Sequence, residues 1–150
     1  LVLNGLVGVL LGWAAFPSIL VALLLQALLF QFGGITVLGV NVFTMGFAAV
    51  ISWYVFRAIC YLCPGMKGVR VAAFMGGALG VALAAVLTAL ALAFTDEVFW
   101  LAARLLLLAH LPVMLVEGLV TMFTVSFIMR VRPELLGMAP VRPGSGQEGA

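Results

Sequence analysis

The apolar positions of this chain run in long blocks rather than in alternation. Residues 1–32 divide into two apolar pieces, 1–13 and 17–32. Pro17 suits the first turn of the second piece, where its missing N–H would have had no partner anyway. Each piece is about 20 to 24 Å long at 1.5 Å per residue, short for a full bilayer crossing. A mildly polar stretch follows over 33–46, GGITVLGVNVFTMG, punctuated by Gly33, Gly34, Gly39 and Gly46 with Asn41 at its centre. Irregular backbone at membrane depth survives only where protein or a water-filled cavity covers it. The stretch is therefore expected to be an external loop or the lining of a site.

The next span is predicted over 45–62, followed by the loop CPGMKGVR at 63–70. Residues 71–94 form an unbroken span of Ala, Leu and Val, with Gly76, Gly77 and Gly80 on one side. Gly76 and Gly80 have the small-xxx-small spacing that lets two helices approach closely. After Thr95-Asp96-Glu97, the 34 residues of 98–131 would run about 50 Å as one helix, too long for one straight crossing. Pro112 offers a break, so 98–109 is predicted as an interfacial helix with Glu97 and Arg104 facing water, and 111–129 as the last span. The pattern predicts an all-α, polytopic transmembrane bundle of about four to five spans over 1–132, with a Pro- and Gly-rich disordered tail over 133–150.

Composition agrees. Hydrophobic residues make up 66% of the 150 and charged residues 8%, with a mean hydropathy of +1.34. A soluble domain has about a quarter of its residues charged, so lipid is the remaining solvent for this surface. The net charge of +2 is too weak to argue for nucleic acid. Placement says more: Arg57, Lys67 and Arg70 cluster around one loop, Arg130, Arg132 and Arg142 near the C-terminus, and the acidic Asp96-Glu97 loop lies between. Positive charge marks the cytoplasmic side. The C-terminus is therefore expected in the cytoplasm, 33–44 outside, and the whole in a cell membrane. The chain opens at Leu1 within an apolar run, with no Met and no basic leader, as expected of a fragment.

Ionisable groups inside a span are costly and are functional candidates by default. His110 and Glu117 are seven apart and share a helical face that Met114, Thr121 and Thr124 extend into a semi-polar stripe, predicted to point into the bundle. That stripe reads as a solute path or ligand site, with His110 at the outer mouth as the candidate metal ligand. The alternative, preferred for Glu117, is helix–helix glue through hydrogen bonds. Asn4 and Gln26 read as inter-helix hydrogen-bond partners, and Asn41 as a residue that shapes a site. Cys60 and Cys63 form one C-x-x-C pair, with no second pair to complete a zinc site. Trp13, Trp53 and Trp100 suit interfacial anchors. The chain contains no P-loop, no H-E-x-x-H and no nucleophile elbow.

The run FQFGGITVLGVNVFTMG at 30–46 resembles the segment F-x-x-GG-[LI]-T-x-LG-x-N-x-[FL]-x-M of cobalt and nickel transport permeases. The run 106–136, LLLAHLPVMLVEGLVTMFTVSFIMRVRPELL, is similar to the same family's A-H-x-P-V-M-x-x-E-G-x-x-T signature with its basic R-P-E end. The opening LVLNGLVGVLLGW is similar to the stretch after that family's second metal-binding motif. The resemblance is to the CbiM/NikM family, the substrate-capturing membrane component of energy-coupling factor importers. It implies a metal-capturing bundle of which 1–132 is the C-terminal two-thirds. It implies Co²⁺ or Ni²⁺ as the transported substrate with no permanently bound cofactor, and Co²⁺ would feed cobalamin synthesis. The implied partners are a transmembrane coupling protein and two ATPase subunits, with room for a small accessory membrane protein. No enzymatic activity is implied for the chain itself.

The resemblance places the primary ligands upstream of Leu1: the terminal amine, a nearby His, and a second His just before this chain opens. Asn4, Gly33, Gly34 and Asn41 are implied to shape or gate the site. Phe32 stands where many relatives carry His, so a His next to the two glycines is not an obligatory ligand. The competing readings are a non-transport membrane scaffold or intramembrane enzyme, and a capture subunit for a vitamin or other small solute.

Overall fold

The computed structural model of the chain describes residues 2–30 and 35–136. They form helices throughout: α1 (Asn4–Leu11), α2 (Ala15–Phe30), α3 (Leu38–Leu62), α4 (Met66–Thr95) and α5 (Trp100–Val131). Short 3₁₀ turns sit at Gly12–Ala14, Glu97–Phe99 and Pro133–Leu136. Long helices follow from apolar runs in lipid, where a helix satisfies its backbone groups within its own segment, and this carries them through interior Gly and Pro. Four stretches, Asn4–Phe30, Leu38–Leu62, Met66–Thr95 and Glu97–Val131, are long and apolar enough to cross a membrane.

The first of these stretches is not one rod. Gly8 of α1 lies on Ala49 of α3, Gly12 lies on the Trp53 ring, and then Phe16 returns to Gly46. The chain descends beside α3, reverses at Gly12–Ala14, and climbs back as α2. Gly12 has φ 56° and ψ −125°, close to the first central position of a type II′ turn at about +60°, −120°. Only glycine adopts this pair of angles without strain, and a Cβ here would also meet the Trp53 ring at 3.0 Å. Gly12→Ala is expected to destabilise the protein by about 1–3 kcal/mol. A thermal unfolding midpoint in detergent equal to that of the unmodified protein would refute this. The two apolar pieces read from the sequence are thus two helices of 8 and 16 residues.

α1 sits in the groove between α3 and α4, α2 packs on α3, and α4 packs along α5. Because α4 and α5 are antiparallel, Lys67 and Arg70 share one end of the bundle with Arg130 and Arg132, and Asp96 and Glu97 mark the other. The α1–α2 reversal lies toward the basic end. There Trp13 donates through Nε1 to the Tyr54 hydroxyl at 3.0 Å, and the Arg57 guanidinium lies 4.9 Å over Trp53. This is the amphipathic aromatic belt expected where a membrane meets water.

The core is small-residue packing. Ala15, Ala48, Ala49, Ala72 and Ala73 are buried, while Leu25, Leu28, Leu29, Phe123 and Phe127 point outward. Near the basic end Val9, Phe56, Val69, Val125 and Met129 close a cluster, with Cys60 and Met66 packed against it. Large apolar groups outside and small ones inside is the arrangement of helices that associate by close van der Waals contact in lipid.

The structure corrects three sequence expectations. The Gly-punctuated stretch is not all loop: residues 35–37 turn, and α3 starts at Leu38, taking in Gly39, Asn41 and Gly46. The Asn41 N–H donates to Val37 O at 3.0 Å, and the Thr44 hydroxyl bonds back to Asn41 O at 3.2 Å, so both polar residues serve the helix. No break separates an interfacial helix over 98–109 from a later span, because α5 runs through Pro112. A proline removes one rung from a ladder of 32 residues, which neighbouring helices tolerate inside a membrane protein. Finally, order extends past residue 132. Pro133–Leu136 forms a 3₁₀ turn, and Leu136 packs against the basic-end cluster. The rest of the expected tail, 137–150, lies outside the described residues.

Candidate functional site

Toward the acidic end α1, α3, α4 and α5 leave between them a cavity of about 150 Å³. Asn4 enters it from the first turn of α1, Asn41, Thr44 and Met45 from α3, Thr88 from α4, and Leu106 and His110 from α5. Three residues singled out from the sequence, Asn4, Asn41 and His110, therefore meet at one place. Gly33 and Gly34, also singled out, lie outside the described residues.

His110 is half-buried, and its Nδ1 lies 2.7 Å from Leu106 O. A carbonyl oxygen only accepts, so Nδ1 carries the proton in this bond and the lone pair of the neutral ring is on Nε2. Asn4 is 2% exposed, and its amide nitrogen has no hydrogen-bond partner among the described residues. Buried amides are normally bonded, so this one asks for a water or ligand partner.

The predicted stripe on α5 does face the bundle: Glu117 and Thr121 are buried, and His110, Met114 and Thr124 half-buried. It divides by function. Only His110 reaches the cavity. Glu117, fully buried, accepts hydrogen bonds from the backbone N–H groups of Val2 and Leu3, and Leu3 N lies 2.9 Å from each carboxylate oxygen. The carboxylate thus caps the N-terminus of α1, whose orphan N–H groups and positive dipole end favour an anion. This is the glue reading, with a backbone partner. Thr121 lies against Gly77, and its hydroxyl has no partner among the described residues.

Among the described residues Gln26 has no inter-helix hydrogen-bond partner. It faces an open apolar groove with Ala22, Leu25, Leu29 and Phe30 on α2. Cys60 and Cys63 are free thiols. Among the described residues no three His, Cys, Asp or Glu side chains come together as a metal site. Sequence reasoning passed over Thr44, Met45 and Thr88. Thr88 had a signal, since it is the sole polar side chain between Gly80 and Thr95. Thr44 had one in its i+3 spacing from Asn41.

The family described as the cobalt uptake substrate-specific transmembrane region, CbiM, matches residues 1–135. A Haemophilus influenzae protein named for metal transport is 36% identical over 137 residues, covering 91% of this chain and 66% of that protein. The cobalt transport protein CbiM of Kyrpidia tusciae is 37% identical, covering 97% of this chain and 62% of its own length. A fused protein of Archaeoglobus fulgidus, NikMN, named for nickel transport, is 35% identical over 89% of this chain and 45% of its own length. The chain thus spans two-thirds or less of these relatives. No solved structure matches it.

Proposed function

Because this chain belongs to the CbiM family of cobalt-uptake transmembrane proteins, we propose that it is the core of the substrate-binding component of an energy-coupled importer, taking Co²⁺ or Ni²⁺ from the outer side of a prokaryotic cell membrane. What carries the reading is that the family match covers the same bundle whose polar residues converge on one cavity. The volume supports a single, partly hydrated ion. Vitamin-sized ligands occupy pockets of about 300–1,000 Å³, well above the 150 Å³ here.

A neutral imidazole nitrogen suits Co²⁺ and Ni²⁺ better than Mg²⁺ or Ca²⁺, which favour oxygen ligands. The cavity itself offers one imidazole. The family resemblance implies that the capturing nitrogen donors precede Leu1, and Glu117 fixes Val2 and Leu3 beside the cavity. The acidic end, with the cavity beside it, faces outward, and the basic end with the C-terminus faces the cytoplasm. A transmembrane coupling protein and two ATPase subunits supply the energy.

The test is isothermal calorimetry of the full native protein with CoCl₂ and NiCl₂, followed by metal uptake in cells that also express the coupling and ATPase subunits. One ion bound per protein and ATPase-dependent uptake are expected. A full native protein that binds neither ion ends the proposal.

A further inference from the structure

We propose that His110 is a direct contact for the transported ion, an inner station in the cavity distinct from the ligands that first capture the metal. The inference rests on the transport reading above and adds to it a residue, an atom and a role.

Three observations carry it. The first is the ring's orientation. Nδ1 is committed to Leu106 O at 2.7 Å, so the neutral imidazole keeps its lone pair on Nε2. Metal-binding imidazoles are held in this way, with the other ring nitrogen donating to a carbonyl or carboxylate. Nε2 makes no hydrogen bond to any described residue, and the ring lines the cavity.

The second is the company it keeps. Asn4 and Asn41 come to the same cavity from α1 and α3, and Thr88 from α4. Each carries an oxygen that can face a cation or its water shell. Asn4 is buried and its amide nitrogen unpartnered; that nitrogen is a donor, so its partner in the cavity is a water of the ion's shell rather than the ion.

The third is charge. Among the described residues no carboxylate lines the cavity. The nearby carboxylate, Glu117, is taken up by Val2 and Leu3. A neutral set of one imidazole, amides, hydroxyls and water holds a divalent ion without trapping it. Conduction demands this balance, since a station must attract the ion yet let it leave.

The competing role for His110 is structural, a ring that only caps a carbonyl on its own helix. Two substitutions separate the roles. Asn at 110 places an amide near the Nδ1 position and keeps the donor to Leu106, but has nothing at Nε2. Gln at 110 reaches the Nε2 position with an acceptor oxygen.

The experiment uses the full native protein with its coupling and ATPase subunits in proteoliposomes, loaded with Co²⁺ outside. Uptake by His110→Asn is expected to fall about tenfold or more, the usual scale for losing a group that holds a metal, while its thermal midpoint stays near that of the unmodified protein. His110→Gln is expected to recover part of the uptake. Independently, Asn41→Asp places a carboxylate at the half-exposed wall of the station, and should tighten Co²⁺ binding while slowing release. His110→Asn transporting at the unmodified rate overturns the proposal, as does Asn41→Asp leaving both affinity and rate unchanged. If the unmodified full protein binds no Co²⁺ or Ni²⁺ by calorimetry, the transport reading itself has failed and this inference falls with it. Normal binding alongside normal His110→Asn transport sinks the inner station alone.

Discussion

Glu117→Ala is expected to remove about 3 kcal/mol or more of stability, far beyond an ordinary inter-helix hydrogen bond in a membrane protein, which averages about 0.6 kcal/mol. Three features set Glu117 apart. Its carboxylate is fully buried, and its acceptors serve two backbone N–H groups that have no intrahelical partner. Both N–H groups are part-buried, so each left without an acceptor costs toward the lower end of about 1–3 kcal/mol, and the void left by the buried carboxylate adds to it. Leu3 is also held at φ 56°, a left-handed conformation that a leucine adopts only under constraint. Once the carboxylate is gone, Leu3 keeps only the Val7 N–H on its carbonyl, at 2.9 Å, and α1 loses its anchor to α5. Asn4 follows directly, so the cavity wall should loosen and metal affinity should fall with stability. Glu117→Gln keeps one acceptor oxygen but turns an NH₂ toward a donor, and should lie between. Thr121→Val, one turn along, should be nearly neutral because its hydroxyl has no partner to lose. The measurement is the thermal midpoint of the purified protein in detergent. A Glu117→Ala midpoint within a degree or two of the unmodified protein would show that the contact is incidental.

The contrast between Glu117 and His110 shows what the sequence made legible. Their spacing of seven put both on one face, and the structure keeps both there. Periodicity could not say that one faces a cavity and the other a backbone, because that depends on where α1 docks. The docking was hidden for a physical reason. α1 is held by glycines and by a carboxylate 114 residues away from Leu3, and neither leaves a local pattern. The same holds for Gly12, whose role lies in a backbone angle rather than in any side chain. Punctuation residues misled in the opposite direction. Gly39 and Asn41 resemble a loop, and Pro112 resembles a helix end, because in water they usually are. In lipid the cost of exposing the backbone outweighs their weak local preferences, and helices run through them.

Gly8 and Gly39 test that balance between local propensity and close approach. Both are helical, Gly8 within α1 and Gly39 in the first turn of α3, and Gly in a helix is up to about 1 kcal/mol less favourable than Ala. A Cβ on Gly39 would meet nothing within 4 Å, so Gly39→Ala is expected to stabilise the protein by up to that amount. A Cβ on Gly8 would lie 2.0 Å from Ala49 O and 2.7 Å from its carbonyl carbon. Both atoms are backbone of α3, so no side-chain rotation relieves the clash. On the opposite side, a Cβ on Gly5 would meet Gly76 O at 2.4 Å and Gly77 Cα at 2.5 Å, so α1 cannot slide toward α4 to escape. Wedged between two backbones, Gly8→Ala must separate helices or tilt α1, at a cost of about 3 kcal/mol, the upper part of the range for overpacking. Gly8→Leu should prevent the bundle from assembling. Because α1 delivers Asn4 to the cavity, metal binding should be lost together with the fold in Gly8→Ala and retained in Gly39→Ala. Thermal midpoints and calorimetry on the two variants decide the matter. Equal midpoints would mean that the glycine face of α1 is not what seats it between α3 and α4.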